Sequence, residues 1–123
     1  MELTRVNRAK NRIYIYFRGY LTLEQVLALQ RAYREAIAEC APGFTCLTYA
    51  EDFRPGSEEI QNVIAEMKTM AARAGISRVA RVVGSKPLGG MQIDYIAKDT
   101  ASYPAKNFET EAEAEAYLDE TIR

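Results

Sequence analysis

The residues in this chain best suited to acid–base chemistry are two adjacent carboxylates, Glu51 and Asp52. Carboxylates held close together can share a proton and work as a general acid and a general base. Histidine is absent from the chain, which excludes Ser-His-Asp and Cys-His nucleophile systems and histidine-ligated metals. An enzyme would therefore depend on these acids, on Lys86 or on a tyrosine. Adjacent acids on a loop are more often simply solvated, so these residues name no reaction.

Cysteine usage argues against a metal site and against a structural disulfide. The chain has two cysteines, Cys40 and Cys46, whose spacing matches neither the redox C-x-x-C motif nor half of a zinc site. Two thiols without histidine cannot supply the four ligands that structural zinc requires. We therefore predict inert thiols in a reducing compartment, with no metal, no cofactor and no essential disulfide.

The stretch from Ser85 to Gly90 has some features of a phosphate-binding loop, because it contains glycines and Lys86 and follows an apolar segment. The P-loop spacing, G-x-x-x-x-G-K-[ST], is missing. Ordinary turn chemistry accounts for the same residues, so anion binding at this loop has weak support.

Length and composition indicate one globular domain over residues 1–123, because 48% of the residues are hydrophobic and 27% are charged. A net charge of −1 provides no global electrostatic case for nucleic acid or an acidic membrane surface. No apolar run is long enough to span a membrane, and the N-terminus lacks a signal-peptide core. We therefore expect no membrane insertion and a cytoplasmic location.

Charge is distributed unevenly along the chain, with basic residues predominating from Met1 to Arg18 and acidic residues from Asn107 to Arg123. We favour two solvated faces that either complement one another or lie apart, because both stretches are also patterned as structure. The alternative is a charged binding tail.

The loop with the two carboxylates lies between an apolar strand and an amphipathic helix. Phe44 to Ala50 is rich in β-branched and aromatic residues, which predicts a buried strand. Glu51 to Gly56 is a loop with a Pro-Gly turn signal, Ser57 is a helix N-cap, and apolar residues recur at helical spacing up to Gly75. Open α/β folds place their sites at such junctions.

Strand and helix patterns surround this junction. The predicted elements are strands at Leu3–Asn7 and Arg12–Arg18, helices capped by Thr22 and Thr110, strands at Arg78–Gly84 and Ala105–Phe108, and a helix, or alternatively a strand, within 88–98. Helical connections between strands predict parallel neighbours. We therefore expect an α/β fold in which an N-terminal β-hairpin precedes βα units, with a mixed, mostly parallel sheet and about four helices.

Tyr14 and Tyr16 share one face of the second predicted strand, opposite Ile13, Ile15 and Phe17. The apolar set is assigned to the core. Tyrosine tolerates both burial and exposure, so the tyrosine face is either packed beneath a helix or half-exposed at an interface.

This order of elements resembles the STAS-type fold of anti-sigma-factor antagonists and their uncharacterised bacterial relatives. The residues that carry the resemblance are Gly19-Tyr-Leu-Thr22, Arg78-Val-Ala-Arg-Val-Val83 and Phe108-Glu-Thr-Glu-Ala-Glu-Ala-Glu-Ala-Tyr-Leu118. The last of these is similar to the F-x-[ST]-x-x-E-A-x-x-[WY]-L ending common in that group. The resemblance implies a binding or regulatory module and not a catalyst.

The resemblance also points to the junction after the third strand. In the classical antagonists this junction carries an Asp-Ser-Gly signature whose Ser or Thr is phosphorylated by a partner kinase. The matching stretch, Tyr49 to Ser57, contains Asp52 but no Asp-Ser-Gly. Ser57 is therefore better interpreted as a plain N-cap than as a phosphorylation site.

Three classes of function remain, in decreasing order of preference. The first is a non-enzymatic regulatory or protein-interaction module of STAS type, whose partner is an unknown protein or a second copy of the chain as a homodimer. The second is a carrier or sensor of a small apolar or lipid-like ligand, with a pocket lined by Met67, Met70 and Met91. The third is a histidine-free enzyme.

For the first class, the sequence predicts a partner-binding surface centred on the junction loop. The residues assigned to it are Glu51, Asp52, Phe53, Arg54, Ser57, Tyr14 and Tyr16. An exposed aromatic beside an arginine, as Phe53 and Arg54 would be, is typical of an interface hot spot. The alternative is that Phe53 packs in the core and Arg54 pairs with Asp52, which would make the loop a simple connector.

Overall fold

The computed structural model describes residues 2–54, 56–84 and 103–120, which form a five-stranded sheet and three helices. The elements are β1 (Thr4–Asn7), β2 (Arg12–Tyr16), α1 (Leu23–Ala38), β3 (Thr45–Tyr49), α2 (Glu58–Arg73), β4 (Arg78–Val82), β5 (Ala105–Phe108) and α3 (Glu111–Asp119). The strands lie side by side in chain order, β1 antiparallel to β2 and all other neighbours parallel. The predicted α/β class, N-terminal hairpin and mixed, mostly parallel sheet are confirmed.

The hairpin forms because its turn satisfies its own polar groups. Asn11 has a φ of 53°, a left-handed conformation that asparagine adopts more readily than most residues. Its N–H donates to the carbonyl of Arg8 at 3.2 Å, and the side-chain oxygen of Asn7 accepts from the N–H of Lys10 at 3.1 Å. The chain therefore reverses within a few residues.

Each described helix begins at the residue predicted to cap it. Thr22 and Thr110 both form complete capping boxes, and the Ser57 hydroxyl accepts from the N–H of Ile60. At the other end of α2, Gly75 has a φ of 91° and the N–H of Ile76 donates to the carbonyl of Ala71 at 3.2 Å. This is the Schellman pattern, in which a glycine adopts the left-handed conformation.

Helices cover both faces of the sheet, but unequally. On one face α1 and α2 enclose the larger core, which includes Ile13, Ile15 and Phe17. On the other face the short helix α3 packs Ala114 and Leu118 over a smaller cluster that includes Tyr14. The alternation of side chains in β2 thus places Ile13, Ile15 and Phe17 in the core as predicted, and for Tyr14 the alternative of packing beneath a helix is the one observed.

The predicted helix within 88–98 lies outside the described residues, as do Lys86, Met91 and the loop from Ser85 to Gly90. Of the roughly four helices predicted, the other three lie within the described residues. None of the described helices combines the length and apolar character needed to cross a membrane.

Candidate functional site

The predicted site loop follows β3, at the carboxyl end of the parallel strands. Here Glu51 and Asp52 are exposed, Arg54 is half-buried and Ser57 is exposed as the N-cap of α2. The position is the one where open α/β sheets place binding sites, because the loops from neighbouring strands meet there.

Phe53 is the exception in this loop, because its side chain is 0% exposed. Its ring lies 5.2 Å from that of Phe17, with the planes tilted by 60°. The expectation that Phe53 is an exposed hot-spot residue is therefore wrong, since the ring gains more by leaving water for the α1–α2 core. The predicted alternative for Phe53, packing in the core, is confirmed.

Backbone bonds tie this loop to the one after β2. The N–H of Phe17 donates to the carbonyl of Tyr49 at 2.8 Å, and the N–H of Arg54 donates to the carbonyl of Gly19 at 2.9 Å. A carboxylate oxygen of Asp52 accepts from the N–H of Gly19 at 3.2 Å. We call residues 17–22, 50–54 and 56–57 the two-loop platform, because these bonds join the loop after β2 to the loop after β3.

The two carboxylates of the platform lie beside different neighbours of β3. Asp52 bonds to Gly19 in the β2 loop, as described above. The carboxylate of Glu51 lies against Gly84, just after β4, where an added Cβ would be 2.8 Å from its oxygen. The arrangement gives little support to a proton shared between the two acids.

Arg54 donates to the carbonyl of Phe53 at 2.9 Å, so the predicted pairing of Arg54 with Asp52 is replaced by a backbone contact.

Tyr20 is the platform residue that sequence reasoning missed. Among the residues that the structure describes, it is the large hydrophobic side chain left exposed, with an exposed fraction of 76%. Beside it lies a surface cavity of about 200 Å³, partly lined by Leu3, Arg18 and Leu21. Its position in the sequence could have indicated this exposure. Tyr20 follows a strand end and precedes a capping box, where packing does not require an aromatic ring.

The two tyrosines of β2 have different environments. Tyr14 is only 2% exposed, and its hydroxyl donates to Glu115 of α3 at 2.9 Å; burial, followed by the contact with Glu115, raises the pKa of this hydroxyl. Tyr16 is half-buried, and its ring stacks on Tyr49 at 4.5 Å. Tyr14 therefore belongs to the interior, whereas Tyr16 lies at the margin of the platform with Arg18 over its ring.

A cavity in the α1–α2 core bears on the small-ligand hypothesis. It is lined in part by Tyr33, Met67, Lys68 and Arg81, and its volume of about 40 Å³ suits one or two waters and is far below that of a ligand pocket. Lys68 and Arg81 are both buried polar residues that the apolar patterns of their elements did not predict. Arg81 donates to the side-chain oxygen of Asn107 at 3.1 Å.

The cysteine and carboxylate side chains of the described residues do not form a metal-binding cluster. No three cysteine, aspartate or glutamate side chains among residues 2–54, 56–84 and 103–120 are grouped as metal ligands would be. Burial raises the pKa of Cys46 to about 11, so its thiol stays protonated and unreactive at neutral pH.

Comparison with known proteins gives a match at the level of structure alone. No family model matches the sequence, and no curated protein matches it either. A solved structure, described as the anti-sigma factor antagonist SpoIIAA in its unphosphorylated form, superposes with a TM-score of 0.59 at 14% sequence identity. The match covers 95% of this chain and 96% of that one. The chain therefore has the STAS-type fold seen in an anti-sigma-factor antagonist.

Proposed function

We propose that this protein is a non-enzymatic regulatory module that binds another protein through the two-loop platform. The fold supports the class of function, since the solved structure that it resembles is described as an anti-sigma factor antagonist. Fold alone does not fix function, and the more specific support comes from the two-loop platform.

The observation that carries the proposal is the exposure of Tyr20 on a backbone that is already fixed. Tyr20 is 76% exposed, and its neighbour Gly19 exchanges hydrogen bonds with Asp52 and Arg54. Tyrosine and arginine are the residue types that most often dominate binding energy at protein interfaces. A surface whose loops are already ordered loses less conformational entropy on binding, which favours affinity.

Each residue of the proposed surface has a separate role. Tyr20 is the apolar anchor, Glu51, Asp52 and Arg54 provide polar contacts around it, and Tyr16 contributes a partly exposed ring at the margin.

Phe53 lies outside the binding surface, and its buried ring holds the loop in place. Ser57 stabilises α2 through its N-cap bond, and Tyr14 is excluded from the surface because it is buried.

The other two classes of function have weaker support. Among the described residues, the core cavity that Met67 lines has a volume of only about 40 Å³, which gives a lipid-like ligand little room there, and Glu51 and Asp52 lie beside different neighbours. A homodimer formed through the platform remains an alternative partner arrangement. On composition, we also propose that the protein acts in the cytoplasm.

Affinity capture from the source cell, with platform variants as matched baits, tests the proposal. The baits are the wild type, Tyr20→Ala and Arg54→Ala, with Asn62→Ala and Arg34→Ala as exposed control variants on α2 and α1. We expect a partner that the wild type and controls retain and that the platform variants retain at least about tenfold less, in line with the loss of a hot spot. Equal retention by all five baits would contradict the proposal, and light scattering of the purified chain separates a second copy from a different protein.

A further inference from the structure

The acidic side chains of helix α3 make several of its contacts with the sheet. Only Ala114 and Leu118 of this helix are fully buried. Glu115 and Asp119 accept from the guanidinium of Arg12 at 2.6 and 2.9 Å. Lys10 lies 3.2 Å from Asp119, so the acidic C-terminal stretch and the basic N-terminal stretch complement one another.

Arg12 is an unusual partner for these acids because it lies entirely inside the protein. Its side chain is 0% exposed, and its Nε donates to the hydroxyl of Thr45 at 2.9 Å. Its Nη2 is buried and has no acceptor among the described residues. A buried cation with an unsatisfied N–H is costly, and that cost is relieved if the group becomes hydrated.

The ion pairs of α3 with Arg12 and the unsatisfied N–H of Arg12 have opposite effects on the contact between α3 and the sheet. The carboxylates of α3 stabilise the closed position, while the hydration that Arg12 lacks favours an open one. Of the apolar side chains of α3, Ala114 and Leu118 are fully buried and Tyr117 is partly buried against Phe108, so the helix itself contributes few buried side chains. Short elements with few buried contacts are the ones that open separately from the rest of a fold.

We propose that α3 is a latch that leaves the sheet as a unit while the remainder of the fold stays closed, with Arg12 paired to carboxylates in the closed state and hydrated in the open state. Opening uncovers the sheet face that carries Tyr14, Leu47 and Val82, which are buried beneath α3. This inference is independent of the two-loop platform.

The surrounding charges define what opens the latch. The charged and titratable groups that face Glu115 and Asp119 are Lys10 from the β1–β2 turn and Arg12 and Tyr14 from β2. On β4, Arg78 lies 3.6 Å from Glu120. The hydrogen bond from Arg12 holds the pKa of Asp119 below its usual range. Removal of the carboxylate charges of Glu115 and Asp119, which pair with Arg12, therefore opens the latch.

Amide hydrogen exchange of the full chain, followed by NMR at neutral pH, tests the latch. The variant is Glu115→Gln/Asp119→Asn, and the charge-matched control is Glu35→Gln/Glu109→Gln, both positions being exposed. We expect the amides of residues 115–118 to exchange at least about tenfold faster in the variant, while those of Leu47 and Ile64 change less than about twofold. The control should match the wild type throughout.

In the wild type, the α3 amides should already exchange faster than those of Leu47 and Ile64 after correction for intrinsic rates. Equal acceleration of α3 and core amides, or failure of the double variant to fold, would show that α3 opens only with the whole protein. Unchanged exchange in α3 would show that the carboxylates do not hold it. Either result overturns the proposal.

Discussion

The ring of Phe53 packs against the ring of Phe17 at a centroid distance of 5.2 Å, and this contact joins the loop after β3 to the end of β2. The two residues are far apart in sequence, and inter-loop backbone hydrogen bonds lie beside them, from the N–H of Phe17 to the carbonyl of Tyr49 and from the N–H of Arg54 to the carbonyl of Gly19. The buried ring therefore holds in place the surface from which Tyr20 projects.

Truncation of this ring should destabilise the whole fold. Phe53→Ala is expected to lower the free energy of unfolding by about 3–5 kcal/mol, the usual cost of removing a buried phenylalanine. Urea unfolding followed by circular dichroism measures the change. Tyr20→Ala is the control, and because Tyr20 is exposed it should cost less than about 0.5 kcal/mol. A small effect of Phe53→Ala would mean that the ring is not part of the core.

The helix caps give a second prediction. Thr22→Ala, Ser57→Ala and Thr110→Ala should each lower the free energy of unfolding by about 1 kcal/mol, because each removes the acceptor of a first-turn N–H. Thr69→Ala within α2 is the control, since its hydroxyl donates only to the carbonyl of Ala65 and alanine favours the helix. Denaturation midpoints that stay unchanged in all three cap variants would contradict the assigned helix starts.

The caps also show what the sequence could predict. The capping-box residues at Thr22 and Thr110 predict helix starts from local sequence alone. The alternation of side chains in β2 likewise assigns Ile13 and Tyr14 to opposite faces without tertiary information. Phe53 and Tyr20 could not be assigned in this way. Both are single aromatics in loops, and only the packing of the two loops decides that one ring is buried and the other exposed.

Buried charge is the other feature that local patterns did not reveal. Arg12 and Arg81 occupy strand positions that alternate with apolar residues, yet both are fully buried. Their burial depends on partners far along the chain, such as Glu115 for Arg12 and Asn107 for Arg81. A periodic pattern carries no information about such long-range pairs.

Stability should depend on pH through Asp119. Its folded-state pKa is lowered, chiefly by the hydrogen bond from Arg12. The stabilisation is therefore fully present above the unfolded-state pKa, about 3.9, and is lost as the pH falls through the lower folded-state value. Unfolding free energies of the wild type and Asp119→Asn, measured from about pH 2 to pH 6, should converge on acidification. A difference that stays constant across this range would contradict the ion pair.

The two thiols should differ in reactivity. Cys46 is buried and has a pKa raised to about 11 by that burial, whereas Cys40 is only partly buried. With a thiol reagent at pH 8, Cys40 should react at least about tenfold faster than Cys46, because Cys40 is the more accessible thiol and the raised pKa of Cys46 keeps it protonated. Single variants Cys40→Ser and Cys46→Ala assign the two phases. Equal rates in the folded protein would contradict the burial of Cys46.

The measurement that tests the proposed function most directly is an amide-exchange footprint of the captured partner on this chain. Exchange is compared for the free chain and the complex, with Tyr20→Ala as a variant that keeps the fold. We expect protection within residues 17–22, 50–54 and 56–57 in the wild-type complex, and loss of this protection when Tyr20 is truncated. Protection confined to the outer faces of α1 and α2, with none on the two-loop platform, would contradict it.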